Sequence, residues 1–168
     1  AYHITRSRNK GRLTCTICLS SQGLFEVAKR NELFHEDGVP YQIESFNPYD
    51  RSARLLLVQD DDLKDLANSC KDSVHLLIVG WGRLGESLII QAAHSWHLMG
   101  RKDKLIISVI DKNAQNHFTR LFRDDPNINQ VLEINPIQID IQSINLLQKA
   151  MAEIQVNVSR AYIRLSDP

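Results

Sequence analysis

The run Gly80-Trp81-Gly82-Arg83-Leu84-Gly85 sets three glycines at the spacing G-x-G-x-x-G. Where a strand leads into a helix, each glycine of that pattern has its own physical task. Gly80 permits the tight turn out of the strand. Gly82, lacking a Cβ, lets a pyrophosphate approach the backbone. Gly85 lets the helix pack closely on the strand. The first turn of such a helix offers unpaired N–H groups and about half a positive charge, both suited to phosphate. Arg83, at the mouth of the helix, is a candidate charge partner, and Leu84 completes the stretch.

Two carboxylates extend the pattern. Asp111 directly follows the apolar run Leu105–Ile110 and stands 26 positions after Gly85. The usual interval is about 20, and the excess is assigned to residues 97–104. A carboxylate at this point accepts hydrogen bonds from both ribose hydroxyls of an adenosine and repels a 2′-phosphate, which favours NAD over NADP. Lys112 beside it weakens that exclusion. Asp140, in Gln138-Ile139-Asp140-Ile141, follows a third strand and either meets an adenine amino group or caps the helix near Ile144. Leu165 and Ser166 fall at the carboxyl end of the last strand, where open α/β sheets bind ligands.

The elements that must position these residues follow from periodicity. Val74–Val79 and Leu105–Ile110 are nearly continuous apolar runs, as strands buried on both faces should be. Residues 131–139 and 161–165 read as two more. Between them Leu84, Leu88, Ile89, Ala92, Ala93 and Trp96 recur at helical spacing, and helices are also expected over 114–122 and 144–154, the latter with Leu147 and Ala150 inward. The order β-α-β-α-β-α-β implies an α/β fold, a Rossmann-like, doubly wound, mostly parallel sheet with helices on both faces. Upstream, alternation marks strands over 13–19 and 41–46. Leu24, Phe25, Val27 and Ala28 suggest a helix between them. Asn47-Pro48 opens another helix, with Asn as cap and Ala53, Leu56 and Leu57 as its buried stripe. Asp60-Asp61-Asp62 then ends that helix or begins a polar connector to Ser73. The chain thus divides into residues 1–72, a β-α-β-α segment, and 73–168, the nucleotide-binding part. The strands over 13–19 and 41–46 either complete the second part's sheet or belong to a neighbouring unit. The end at Ser166-Asp167-Pro168, straight after a strand, suggests a fragment of something longer.

Composition narrows the function. The 168 residues carry 20 Lys+Arg against 20 Asp+Glu, so the basic excess typical of nucleic-acid binders is absent. The one basic cluster, Arg6, Arg8, Lys10 and Arg12, reads as a solvated or membrane-proximal tail. No apolar run approaches the 18–20 residues or so of a membrane span. Cys15 and Cys18 lie three apart on an expected strand and so face opposite ways, unlike a redox pair at a helix start. His94 and His97 share a helix face but fall short of the three or four ligands a zinc site requires. The Lys and hydroxyl of a Walker loop are missing from the glycine run, which argues against phosphoryl transfer.

On these residues, Val74–Asp167 resembles the NAD-binding domain of the Trk-type potassium-uptake regulators, the TrkA-N, RCK or KTN domain. The likeness rests on Ile78–Gly85, on Val109-Ile110-Asp111-Lys112, on Asp140 and on the strand Ala161–Leu165. Ile139 departs from the glycine that this family usually has before the acid. The whole chain is similar to bacterial membrane proteins with tandem domains of this kind, through Cys18-Leu19-Ser20 with Leu24 and through Phe46–Leu56 ahead of the fingerprint. The resemblance implies a cytoplasmic regulatory domain that binds NAD, NADH or another adenine nucleotide through Gly80, Trp81, Gly82, Arg83, Leu84, Gly85, Asp111, Lys112, Asp140, Ile141, Leu165 and Ser166. It also implies a homo-oligomeric partner, dimer or higher, and a membrane pore for cations that the domain gates without catalysis. The competing reading is an NAD-dependent dehydrogenase fragment, whose substrate domain would have to lie outside these residues. A methyltransferase using S-adenosylmethionine is a third, less suited to the third glycine.

Overall fold

The computed structural model describes residues 2–6, 13–21, 23–24, 27, 41–59, 63–70, 73–140, 142, 144–154 and 158–163. These fall into two compact units, residues 1–52 and 53–168.

In the first unit β2 (Leu13–Cys18) pairs antiparallel with β1 (Tyr2–Arg6) and parallel with β3 (Tyr41–Phe46), giving the order β1-β2-β3. The strand β1 corrects the expectation of a solvated or membrane-proximal tail as far as Arg6, which sits in a ladder opposite Leu13. Period-2 alternation over Tyr2–Arg6 is too short, and too close to the charged run that follows, to stand out in sequence. Arg8, Lys10 and Arg12 lie outside the described residues. Of the helix expected after β2, Gly23, Leu24 and Val27 are helical and the rest lies outside the described residues. Cys15 and Cys18 are free thiols on β2, with Cys18 exposed. Asn47 caps the helix α1 (Pro48–Gln59) as expected: its Oδ1 accepts the N–H of Tyr49 at 3.0 Å and that of Asp50 at 3.4 Å.

The second unit is an α/β layer structure with a Rossmann-like arrangement. Four strands, β4 (His75–Val79), β5 (Leu105–Asp111), β6 (Leu132–Gln138) and β7 (Arg160–Ile163), form a parallel sheet in the order β6-β5-β4-β7. The chain moves outward from β4 to β5 and β6, then returns to the other side of β4. The strand order therefore reverses at β4, which makes its carboxyl end the topological switch point. Strands β1 to β3 form a sheet of their own rather than joining this one.

Alternate residues of β4 feed two cores. Leu76 and Ile78 join Leu88, Ile89, Ala92 and Trp96 of α3 (Arg83–Leu98) and Ala114 and Leu121 of α4 (Ala114–Asp124). Leu77 and Val79 pack on the other face with Ile110 and with Ala150, Met151 and Ile154 of α5 (Ile144–Ile154). Burying both faces of a strand is what a run with no polar alternation is for. Ala53 and Leu57 of α1 are buried in the first of these cores, as the stripe predicted. The connector expected to stay polar up to Ser73 instead holds a helix, α2 (Leu63–Ser69), with Leu63 and Ala67 buried. Two apolar positions four apart make one helical stripe, but flanking aspartates hide it from a window average. After α3, residues 99–104 are braced by Arg101. Its guanidinium donates to both carboxylate oxygens of Asp103 and to the carbonyl of Ala67, and lies 4.9 Å above the Trp96 ring. That bidentate bond holds the Asp103 carboxyl below the usual carboxylate range. Among the described residues no helix is long and apolar enough to cross a membrane.

Candidate functional site

The glycines lie at the carboxyl end of β4. Gly80 continues the ladder by donating its N–H to Ile110 at 2.8 Å, then turns with φ 98°, a conformation that side chains rarely adopt. Gly82 precedes α3 with φ −82° and ψ −168°, and the first helical bond runs from Glu86 N–H to its carbonyl. Gly82 is exposed, and a Cβ built on it would meet nothing within 4 Å. Gly85 is the opposite case. A Cβ there would lie 2.3 Å from the Gly80 carbonyl oxygen, so α3 can seat on the turn only because this residue has no side chain. The turn at Gly80 and the close packing at Gly85 thus fall where the spacing predicted, and the backbone at Gly82 is unobstructed.

Asp111 ends β5 and its carboxylate reaches sideways to the glycine turn. Its Oδ2 accepts the N–H of Trp81 at 2.8 Å, and its Oδ1 accepts the N–H of Asn113 at 2.7 Å. One carboxylate therefore ties the turn after β4 to the start of α4. Each oxygen retains a second lone pair, because an ionised carboxylate has about four acceptor sites. Asp111 is partly exposed.

Strand β6 brings the second carboxylate alongside. Ile139 donates its N–H to the Asp111 carbonyl at 3.2 Å, so Asp140 follows directly on a residue bonded to Asp111. Asp140 is exposed and its Oδ1 accepts the Gln142 N–H at 3.1 Å, a turn bond of the kind that leads into a helix. Gly80, Gly82, Asp111 and Asp140 thus line the carboxyl ends of three adjacent strands. Arg83 and Lys112 are exposed beside them. Leu84 packs against the core, so only its backbone belongs to the helix mouth. Ile141, Leu165 and Ser166 lie outside the described residues.

Trp81, one of the residues expected to bind the nucleotide, turns its side chain into the core and leaves only its backbone at the turn. Its ring is buried, at 1% exposure, and stacks on His117 of α4 with centroids 5.9 Å apart and 25° between planes. Its Nε1 is a buried donor with no acceptor among the described residues. Glu86, in the first turn of α3, is held by Arg120 of α4 at 2.6 Å. Sequence reasoning passed over His117, Arg120 and Glu86, since nothing in spacing announces a contact between two helices. Asn113, two residues after Asp111, was the findable one, because a carboxylate commonly accepts the N–H two positions on. His94 and His97 are exposed on α3, and among the described residues no group of three or more metal-ligating side chains gathers.

The residues present fit a diphosphate nucleoside. The space over Gly82 is open, the helix mouth faces it, and the Asp111 carboxylate is fixed next to the turn with acceptor capacity to spare. No family model, curated protein or solved structure matches the chain.

Proposed function

We propose that residues 73–168 form an NAD(H)-binding regulatory domain of a cation channel or transporter, gating a pore through ligand occupancy without catalysis. The observation that carries the ligand reading is the clamp of Asp111 on the Trp81 N–H beside an unobstructed Gly82. In this reading the backbone around Gly82 receives the pyrophosphate and Asp111 receives the adenosine ribose hydroxyls. The reading of a pore partner is supported by the resemblance to the Trk-type regulators, carried by Ile78–Gly85 and Val109–Lys112. A ligand gates only by the difference between its affinities for two arrangements of the protein. A homodimer or larger assembly supplies those arrangements.

Thermal-shift and calorimetric titrations with NADH, NAD, NADP, ATP and S-adenosylmethionine test the ligand. NADH and NAD raise the melting temperature, with NADP weaker because Asp111 repels its 2′-phosphate. No shift with any adenine nucleotide overturns the reading. Turnover of NADH with a small carbonyl compound transfers the assignment to a dehydrogenase. For the pore, NADH-dependent cation flux through the full-length protein in vesicles is the expected outcome, and flux indifferent to NADH refutes the regulatory role.

A further inference from the structure

Glu86 poses an electrostatic problem for an anion site. It stands four residues after Gly82, in the first turn of α3, where a diphosphate would draw on the helix N-terminus. A carboxylate there favours the helix itself, yet repels a second anion. The structure answers with Arg120, whose Nη2 lies 2.6 Å from Glu86 Oε2 across the gap between α3 and α4. The pair is partly exposed, with side-chain exposures of 25% for Glu86 and 44% for Arg120. Such pairs add little to folding stability. Their effect on a nearby charge is a separate matter, because an anion within a Debye length of roughly 8–10 Å still feels whether Glu86 is neutralised.

From this pairing, we infer that Arg120 is a positioning residue for the nucleotide site: it neutralises and turns aside Glu86, and so sets the anion affinity of the glycine turn from helix α4. The inference rests on the NAD(H) reading above. The second tie between the same two parts, the Trp81–His117 stack, keeps α4 in register with the turn, since His117 and Arg120 lie three apart on one helical face. The coupling is reciprocal by linkage. A partner that draws Arg120 away with an acidic group weakens the nucleotide, and the nucleotide holds Arg120 against that partner.

A double-mutant cycle tests it on the full chain, with NADH as the probe and calorimetry at low and high salt as the readout. Arg120→Ala weakens NADH about three- to tenfold at low salt, the size of a typical coupling between neighbouring charges, and less at high salt. Glu86→Gln in the Arg120→Ala background restores the affinity, while the melting temperatures of the ligand-free proteins stay alike. If Arg120→Ala binds NADH as the wild type does, or if Glu86→Gln gives no rescue, the inference fails and the NAD(H) reading stands. If the wild type binds no NADH, both fall.

Discussion

The Oδ2 of Asp111 accepts the backbone N–H of Trp81 at 2.8 Å, across the gap between the ends of two neighbouring strands. The other oxygen of the same carboxylate takes the Asn113 N–H at 2.7 Å. The group proposed to hold a ribose is thus already a structural staple. Its orientation is fixed before any ligand arrives, which removes the cost of ordering it on binding.

Replacing that carboxylate separates its two donors. In Asp111→Asn one oxygen remains for two N–H groups, and the new amide NH₂ confronts one of them. The expected loss is about 1–3 kcal/mol of unfolding free energy, the cost of a donor left unsatisfied. Denaturant unfolding measures it. NADH affinity falls in the same variant by more than the loss of stability explains, as titration under conditions where the protein stays folded will show.

Gly82 and Gly85 give opposite responses to one added methyl group. In Gly85→Ala the Cβ meets the Gly80 carbonyl at 2.3 Å, so helix and turn must part, at about 1–3 kcal/mol for an overpacked contact. In Gly82→Ala the Cβ enters open space at an ordinary φ, and stability changes by no more than about 0.5 kcal/mol. The Gly82 variant nevertheless loses NADH, because the methyl occupies the approach to the backbone. Equal melting temperatures for the two variants, or undiminished NADH binding by Gly82→Ala, contradict this division of labour.

His75 predicts a pH dependence. Its Nε2 lies 2.8 Å from the buried Ser108 Oγ, and burial pushes the imidazole below its ordinary value of 6.5, with Glu133 pulling weakly the other way. The unfolded chain then binds a proton that the folded one resists. Stability is complete above about 6.5 and declines as pH falls from there toward the lowered folded value. Unfolding free energies between about pH 8 and pH 5 should fall more steeply for the wild type than for His75→Gln. Parallel curves would show that the folded protein protonates His75 as readily as the unfolded chain does, and would refute the effect of burial.

The second unit was largely readable from residue order. Val74–Val79 and Leu105–Ile110 carry no alternation, so both faces had to be covered, and the glycine spacing located the turn. The first unit and the connector were harder. Strand β1 is five residues beside a basic run, and α2 shows only Leu63 and Ala67 to its core. Elements so short are fixed by partners distant in sequence rather than by their own pattern. The same holds within the site. Asp111 could be placed by counting, but the Glu86–Arg120 pair and the Trp81–His117 stack join side chains 34 and 36 positions apart, and only the packing of α3 beside α4 makes them neighbours.

Among the described residues strand β6 is an end strand of its sheet, and it carries Pro136 opposite Val109. Since the Ile139 N–H turns inward to Asp111, alternation turns the backbone nitrogen of Pro136 outward. That nitrogen bears no hydrogen, so a foreign strand docking along this border would find a missing rung at its middle. The β6 border is thereby closed to the edge-to-edge pairing by which one sheet extends into another.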